Sequence, residues 1–247
     1  MIRVVLIGYG NLGKQLAKAL NGNDQIELVQ VLSSQDPDPD LNLTEGWIHQ
    51  AEQLTDATVY LLAIGDDHIQ AFSQQLPKLK GLVAHCSGST TIQALADHKR
   101  RGVFYPLQTF SPNSDPDWTQ IPICLEAEQP EDLGLLKTMA AGLTPKVYEV
   151  TSDQRLHLHL AAVLVNNFGN HLAKMAQDQL QEAGLDYELL LPLMQETLDK
   201  LKRMPPAEAQ TGPAKRADSK TMKQHLNLLD GDEKELYSIF SRLIQNN

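Results

Sequence analysis

Val4-Val5-Leu6-Ile7-Gly8-Tyr9-Gly10-Asn11-Leu12-Gly13, followed by Gln15-Leu16-Ala17-Lys18-Ala19-Leu20, decides the fold. The apolar run reads as a buried strand, the glycines as a tight turn, and the residues after them as an amphipathic helix. Gly8 permits the turn, Gly10 lets the backbone approach a pyrophosphate, and Gly13 lets the helix pack closely on the strand. The helix amino terminus then offers its unpaired amides to the phosphates. This spacing predicts a dinucleotide site held by Gly8, Tyr9, Gly10, Asn11, Leu12 and Gly13.

Working outward, strand patterns recur at Ile26–Leu32, Asp56–Ile64, Leu82–His85, Val103–Tyr105, Pro122–Glu126 and Lys146–Val150. Helical stretches fall between them at Ile69–Leu76, Thr91–His98 and Pro130–Ala141. Strands alternating with helices predict a doubly wound, mainly parallel sheet covered on both faces. After about residue 150 the alternation stops. Asp153–Ala183 reads as one long helix ended by Gly184, and Tyr187–Arg203 as a second with Pro192 as a kink or restart. A loop over Met204–Ala217 precedes two closing helices, Ser219–Leu229 and Asp232–Gln245, with Ser219 and Asp230 or Asp232 as caps. The expected organisation is an α/β dinucleotide-binding domain over 1–150 and an all-α substrate domain over 151–247.

Formal net charge is −10 over 247 residues, which argues against a nucleic-acid partner, since phosphate backbones are held by Lys and Arg. Apolar runs are too short for a membrane span. Arg3 and the glycine turn interrupt what would otherwise be the start of a signal peptide. Cys86 and Cys124 are the only cysteines. They are expected to be reduced thiols in the cytoplasm, too few for a multi-cysteine metal site, and no metal is expected.

Ligands of open α/β sheets sit beyond the carboxyl ends of the strands. Three such ends carry small or polar turns: the glycine turn, Ile64-Gly65-Asp66-Asp67, and Cys86-Ser87-Gly88-Ser89. The first is expected to hold pyrophosphate, and the other two, through Ile64, Gly65, Asp66 and Ser87, to flank the nicotinamide half. Asp66-Asp67 equally suits a helix cap, and Ser87-Gly88-Ser89 a plain turn. About twenty residues past the glycines, an acid is expected where a ribose 2′-hydroxyl is read. Ser33 and Ser34 stand there instead, with Asp36, Asp38 and Asp40 close behind and no Arg. The cofactor is read as NADP or NAD, leaning to NADP.

On the long helix, at 100° per residue, Asn166 and Asn170 lie about 20° either side of His159, and Arg155 about 40° away. Apolar residues cover the rest, so the helix is expected to be buried. Its polar stripe then either forms a structural hydrogen-bond network or lines a cavity as a substrate site. Glu196 and Lys200, spaced i,i+4 beside Thr197, read as a surface ion pair or as a proton-donating Lys held by Glu196. The loop Gln210–Asp218, with Thr211, Lys215 and Arg216, suits an anionic group or a bridge between helices.

The strings His85-Cys86-Ser87-Gly88-Ser89 and Gly102-Val103-Phe104-Tyr105-Pro106-Leu107-Gln108-Thr109-Phe110 resemble a known family. So do Leu158-His159-Leu160-Ala161-Ala162-Val163, Asn166-Asn167-Phe168-Gly169-Asn170-His171, Glu196-Thr197 with Lys200, and Gln210-Thr211-Gly212-Pro213-Ala214 with Arg216 and Asp218. The family is the Rossmann-like group with a helical C-terminal domain of unknown function, commonly described as candidate NADP oxidoreductases. It is similar in turn to pyrroline-5-carboxylate reductases, deazaflavin-dependent NADP reductases, and 6-phosphogluconate and β-hydroxyacid dehydrogenases. The resemblance spans nearly the whole chain. It implies a Rossmann domain followed by a helical domain that pairs in a homodimer. One departure stands out. β-Hydroxyacid dehydrogenases place a catalytic Lys three or four positions before an Asn of the first long helix; here that slot holds Ala162 or Val163.

The combined expectation is an NAD(P)-dependent oxidoreductase passing hydride to or from a small C=O or C=N substrate in the interdomain cleft. His159 or Lys200 is the expected general acid, Asn166 or Asn167 the substrate hydrogen-bonder, Glu196 the orienter of Lys200, and Asn170, Thr211, Arg216 and Ser87 further substrate contacts. The rival reading is a non-catalytic dinucleotide sensor or regulatory protein.

Overall fold

The computed structural model describes residues 1–112 and 114–246. The chain divides into two compact units, Met1–Asn166 and Asn167–Asn247. The division falls inside the long helix rather than at residue 150.

The first unit carries eight strands: β1 Ile2–Ile7, β2 Ile26–Leu32, β3 Gly46–Ile48, β4 Val59–Leu62, β5 Leu82–His85, β6 Arg101–Pro106, β7 Ile123–Ala127 and β8 Val147–Glu149. They form one sheet in the order β3-β2-β1-β4-β5-β6-β7-β8. Every pairing is parallel except β6 with β7. Helices α1 Asn11–Asn21, α2 Asp66–Gln75 and α3 Pro130–Ala141 connect them. β1 is apolar without alternation because both of its faces are covered. Val4 and Leu6 pack with Leu16, Leu20 and Phe104 on one face; Val5 and Ile7 pack with Tyr60, Leu62 and Ile69 on the other. Each such fully buried aliphatic side chain contributes about 1.5–3 kcal/mol. That double core holds the carboxyl ends of β1, β4, β5 and β6 rigidly side by side.

Helix α4, Ser152–Ala162, completes this unit. It starts at a reciprocal cap: Thr151 Oγ1 accepts the Gln154 amide, and Gln154 Oε1 accepts the Thr151 amide. A π-helical segment, Val163–Asn167, follows and leads into α5, Phe168–Glu182. Gly184, at φ +71°, ends α5 as its position suggested.

The second unit holds α5, α6 Leu191–Arg203, α7 Pro206–Ala209, α8 Ser219–Leu226 and α9 Gly231–Gln245. Pro192 starts α6 rather than kinking it. Asp218, not Ser219, caps α8, because its carboxylate reaches the Thr221 amide at 3.0 Å. Asp230 precedes α9 without a side-chain cap bond.

Two expectations fail here for physical reasons. The helix expected over Thr91–His98 is reduced to a 3-10 segment at Ile92–Leu95, while β3, for which no expectation was drawn, is too short to carry a periodic signal. The long helix is not buried in a single chain: Leu156, Leu160, Leu164 and Phe168 are each more than half exposed. Beyond residue 150, Ala214 is the one buried apolar residue among the described residues.

Candidate functional site

The glycine turn lies as its spacing predicts. Gly8 has φ +99°, and a Cβ there would sit 2.4 Å from the Ala63 carbonyl oxygen. A Cβ on Gly13 would sit 2.3 Å from the Gly8 carbonyl oxygen, so α1 packs directly on the turn. A Cβ on Gly10 meets nothing within 4 Å. Gly10 is the N-cap of α1 and makes no side-chain cap bond. The first amides of α1, including those of Asn11 and Leu12, are therefore open to an acceptor from outside the chain. A side chain is excluded beneath the turn at Gly8 and Gly13, and space is left above it at Gly10, which fits a pyrophosphate laid across the helix end.

A cavity of about 460 Å³ opens there, lined by Gly8, Tyr9, Gly10, Ser33, Ser34, Ile64 and Gly65 among others. So β1, β2 and β4 bring most of the predicted cofactor residues to one place. Tyr9 points inward, with 3% exposure; its ring packs edge-on against Trp47, and its hydroxyl donates to Asp38 Oδ2 at 2.5 Å. Burial, then Asp38, push the Tyr9 hydroxyl well above the ordinary tyrosine range, so it stays a donor.

At the ends of β4, β5 and β6 a second group converges. Asp66 opens α2 and accepts the Ser89 hydroxyl at 2.6 Å. Ser87 Oγ accepts the Ser89 and Thr90 amides and donates to Thr90 Oγ1. Its hydroxyl is spent on the turn, which favours the structural reading of that serine. His85, wholly buried, has its pKa lowered to about 4, first by burial and then by the Arg155 charge. Its Nδ1 accepts the Ser87 amide at 3.2 Å, so the neutral ring carries its proton on Nε2, facing the Thr91 carbonyl.

His159, half-buried on α4, stands 3.2 Å through Nδ1 from the Tyr105 hydroxyl. Both pack over Gly88, where a Cβ would lie 2.6 Å from that Nδ1 and 2.7 Å from the Tyr105 ring. Tyr105 has its pKa raised to about 12 by burial, so it too remains a proton donor at neutral pH. Sequence reasoning placed Tyr105 on a strand and gave it no role. The available signal was its position at the carboxyl end of β6, where ligand-facing residues collect.

Arg155, 1% exposed, bonds to Glu126 Oε2, the Thr90 carbonyl and Ser152 Oγ. It pins α4 to β7 and to the turn after β5. The predicted polar stripe therefore splits. Arg155 and His159 face the sheet, while Asn166, Asn167 and Asn170 are exposed. Helix phase does not explain that exposure, since Leu164, Val165 and Phe168 on the same stretch are exposed as well; the π segment Val163–Asn167 lies between the two groups.

The remaining candidates belong to the second unit. Glu196 pairs with Arg203 at 3.1 Å, not with Lys200, because the side chain reaches two turns along α6. The expected Glu196–Lys200 pair is thus corrected. Thr211 lines an apolar cavity of about 290 Å³ with Leu172, Tyr237 and Phe240. Arg216 is exposed, just before the α8 cap. Among the described residues no group of three or more metal-ligating side chains comes together. Among the described residues no helix is long and apolar enough to cross a membrane.

Comparison with known proteins places this geometry. Residues 121–244 match a family profile described as a domain of unknown function, DUF2520. A Bacteroides fragilis protein described as a candidate NADP oxidoreductase superposes with a TM-score of 0.88 at 34% identity, covering 100% of this chain and 98% of its own. A Thermotoga maritima protein gives a TM-score of 0.79 at 22% identity, covering 98% of each chain. A pyrroline carboxylate reductase from Plasmodium falciparum, solved with NADP bound, gives 0.60 at 13% identity, covering 99% of this chain and 98% of that one. The last two likenesses are of fold alone. No curated protein matches the sequence.

Proposed function

The chain belongs to the DUF2520 family of Rossmann-type proteins, and from that premise we propose that it is a pyridine-dinucleotide-dependent oxidoreductase acting on a small C=O or C=N substrate. The observation that carries this reading is the cradle at the end of β1. Gly8 and Gly13 have no room for a side chain, Gly10 faces open space, and the α1 amides are uncapped. NAD or NADP held there supplies the hydride chemistry; the protein binds, orients and moves the proton.

His159 is the proposed proton donor. As the acid His159 is the imidazolium: its Nδ1–H donates to the Tyr105 hydroxyl oxygen, and the proton on Nε2, the nitrogen turned away from Tyr105, is the one delivered, leaving the neutral ring. Tyr105 acts through His159, as a positioning residue. Lys200 is the alternative donor, and Asn166, Asn167, Asn170, Thr211 and Arg216 are the proposed substrate contacts. Asp66 and Ser87 shape the wall near the turn after β5.

The test is a panel of small keto and imino acids, assayed by nicotinamide absorbance with each cofactor. Turnover with at least one, reduced about a hundredfold or more in His159→Gln but not in Lys200→Met, supports His159. The reverse pattern moves the role to Lys200. Saturable cofactor binding without turnover on any substrate favours the second reading, a dinucleotide sensor. The apolar residues at the dehydrogenase lysine slot, Ala162 and Val163, are the observation on that side.

A homodimer is part of the proposal. The apolar residues left exposed from Leu156 to Leu243 are the surface a second copy would cover. Cys86 and Cys124 are both free and buried, as a reducing compartment keeps them, and the cytoplasm is the proposed location. The charge of −10 makes nucleic acid an unsuitable partner.

A further inference from the structure

We infer that this protein discriminates for NAD(H) against NADP(H), and that Asp38, locked in place by Tyr9, is the residue that enforces the choice. The inference rests on the dinucleotide reading of the cavity and reverses the lean toward NADP drawn from Ser33 and Ser34.

The cavity at the glycine turn continues past the end of β2 into a groove of about 530 Å³, lined by Tyr9, Lys14, Ser34, Asp36 and Asp38 among others. The two share Tyr9, Ser34 and Gln35. In this fold the adenosine ribose lies at the end of the second strand, and a carboxylate there reads the 2′-hydroxyl. No acid stands at Ser33 or Ser34, but the loop folds back and brings one in from further along.

Its position is over-determined. Ser33 Oγ accepts the Gln35 amide at 3.0 Å, and the Ser33 amide bonds to Ile48 of β3 at 3.1 Å. Trp47 Nε1 donates to the Gln35 carbonyl at 2.9 Å, and its ring meets Tyr9 edge-on. Tyr9 then donates to Asp38 Oδ2, while the Asp40 amide donates to Asp38 Oδ1 at 3.0 Å. Tyr9 belongs to the same turn that holds the pyrophosphate cradle, so cradle and carboxylate are fixed relative to each other.

The electrostatics favour a hydroxyl over a phosphate. Asp38 is held below the usual carboxylate range, first by the Tyr9 hydroxyl and then by the Asp40 amide, so it is ionised at neutral pH. Asp36 adds a second negative charge to the same groove, and Lys14 is the cation lining it. Lys18 and Lys14 already act on Asp38. A 2′-phosphate would bring a further charge of about −1.5 to −2 against these carboxylates. A 2′-hydroxyl can instead donate to Asp38.

The experiment is fluorescence or calorimetric titration of the intact chain with NADH and NADPH, in about 20 mM and about 500 mM salt. NADH is expected to bind about tenfold or more tighter than NADPH at low salt. The gap is expected to narrow at high salt, because screening weakens the repulsion. In Asp38→Asn, NADPH binding is expected to rise about fivefold or more and NADH binding to weaken as its charged acceptor is lost, so that the gap closes; an unfolding temperature near that of the wild type shows that the variant folds. Tyr9→Phe, which frees Asp38 without removing its charge, is expected to narrow the gap part of the way. NADPH binding as tightly as NADH, or a gap unchanged in Asp38→Asn, overturns the inference and leaves the dinucleotide reading standing. Failure of the folded protein to bind either nucleotide overturns both.

Discussion

At the scale of single residues, the site is made by what is left out as much as by what is present. Gly8 and Gly13 have no room for a side chain, whereas Gly10 faces empty space. The spacing of three glycines made this legible. What the sequence could not carry is which polar side chains find each other across it. Tyr9 meets Asp38, and Tyr105 meets His159, over separations of 29 and 54 residues. His85 is the clearest titration prediction. Its folded pKa is lowered from 6.5 to about 4 by burial, so between those values the unfolded chain binds more protons than the folded one. Stability contributed by keeping His85 neutral is therefore fully present above about pH 6.5 and is lost as pH falls toward 4. The loss is on the order of 3 kcal/mol at most. Denaturant midpoints measured at pH 7 and pH 4.5 should differ in the wild type, and His85→Gln should remove much of that difference.

At the scale of elements, α4 is the part whose attachment matters, because it carries His159 to the sheet. It is pinned by a buried ion pair, Arg155 with Glu126 at 2.5 Å, and the Arg155 Nε has no partner among the described residues. Removing only Glu126 strands a buried guanidinium. Glu126→Ala is expected to cost about 3–5 kcal/mol by chemical denaturation, and the double change Arg155→Met with Glu126→Leu clearly less. Equal losses in both would show that the pair is not what holds the helix. Strands β1, β2 and β5 and helix α3 were legible because their apolar runs or periods are long enough to read and end in a strong stop. β3 was not, since three residues at a sheet edge carry no pattern. The polar stripe was legible as a composition, but which of its members find partners was not, because past residue 162 apolar side chains such as Leu164 and Val165 are exposed too. Arg155 and His159 lie before the π segment and share a face, while Asn166, Asn167 and Asn170 lie within or after it.

At the scale of the whole molecule, the two units differ in kind. The first has a complete core on both faces of its sheet. The second leaves Leu189, Leu193, Leu198 and Leu243 half-exposed or more. That is the surface the proposed second copy would cover. The proposed homodimer is expected to sediment at twice the mass of 27.4 kDa at micromolar concentration. Its unfolding temperature should rise with protein concentration. A monodisperse monomer with a concentration-independent transition would remove the dimer from the proposal.

The central claim is that the carboxyl edge of β1 cradles a pyridine dinucleotide across Gly10. Calorimetric titration of the intact chain with NAD+, NADH, NADP+ and NADPH, beside Gly10→Val, tests it most directly. A Cβ at Gly10 touches no part of the protein, so the valine variant should unfold at nearly the wild-type temperature while its side chain fills the phosphate path. Saturable binding of at least one nucleotide to the wild type, abolished in that folded variant, is the predicted result. No heat from any of the four with well-folded protein, or undiminished binding in Gly10→Val, would contradict it.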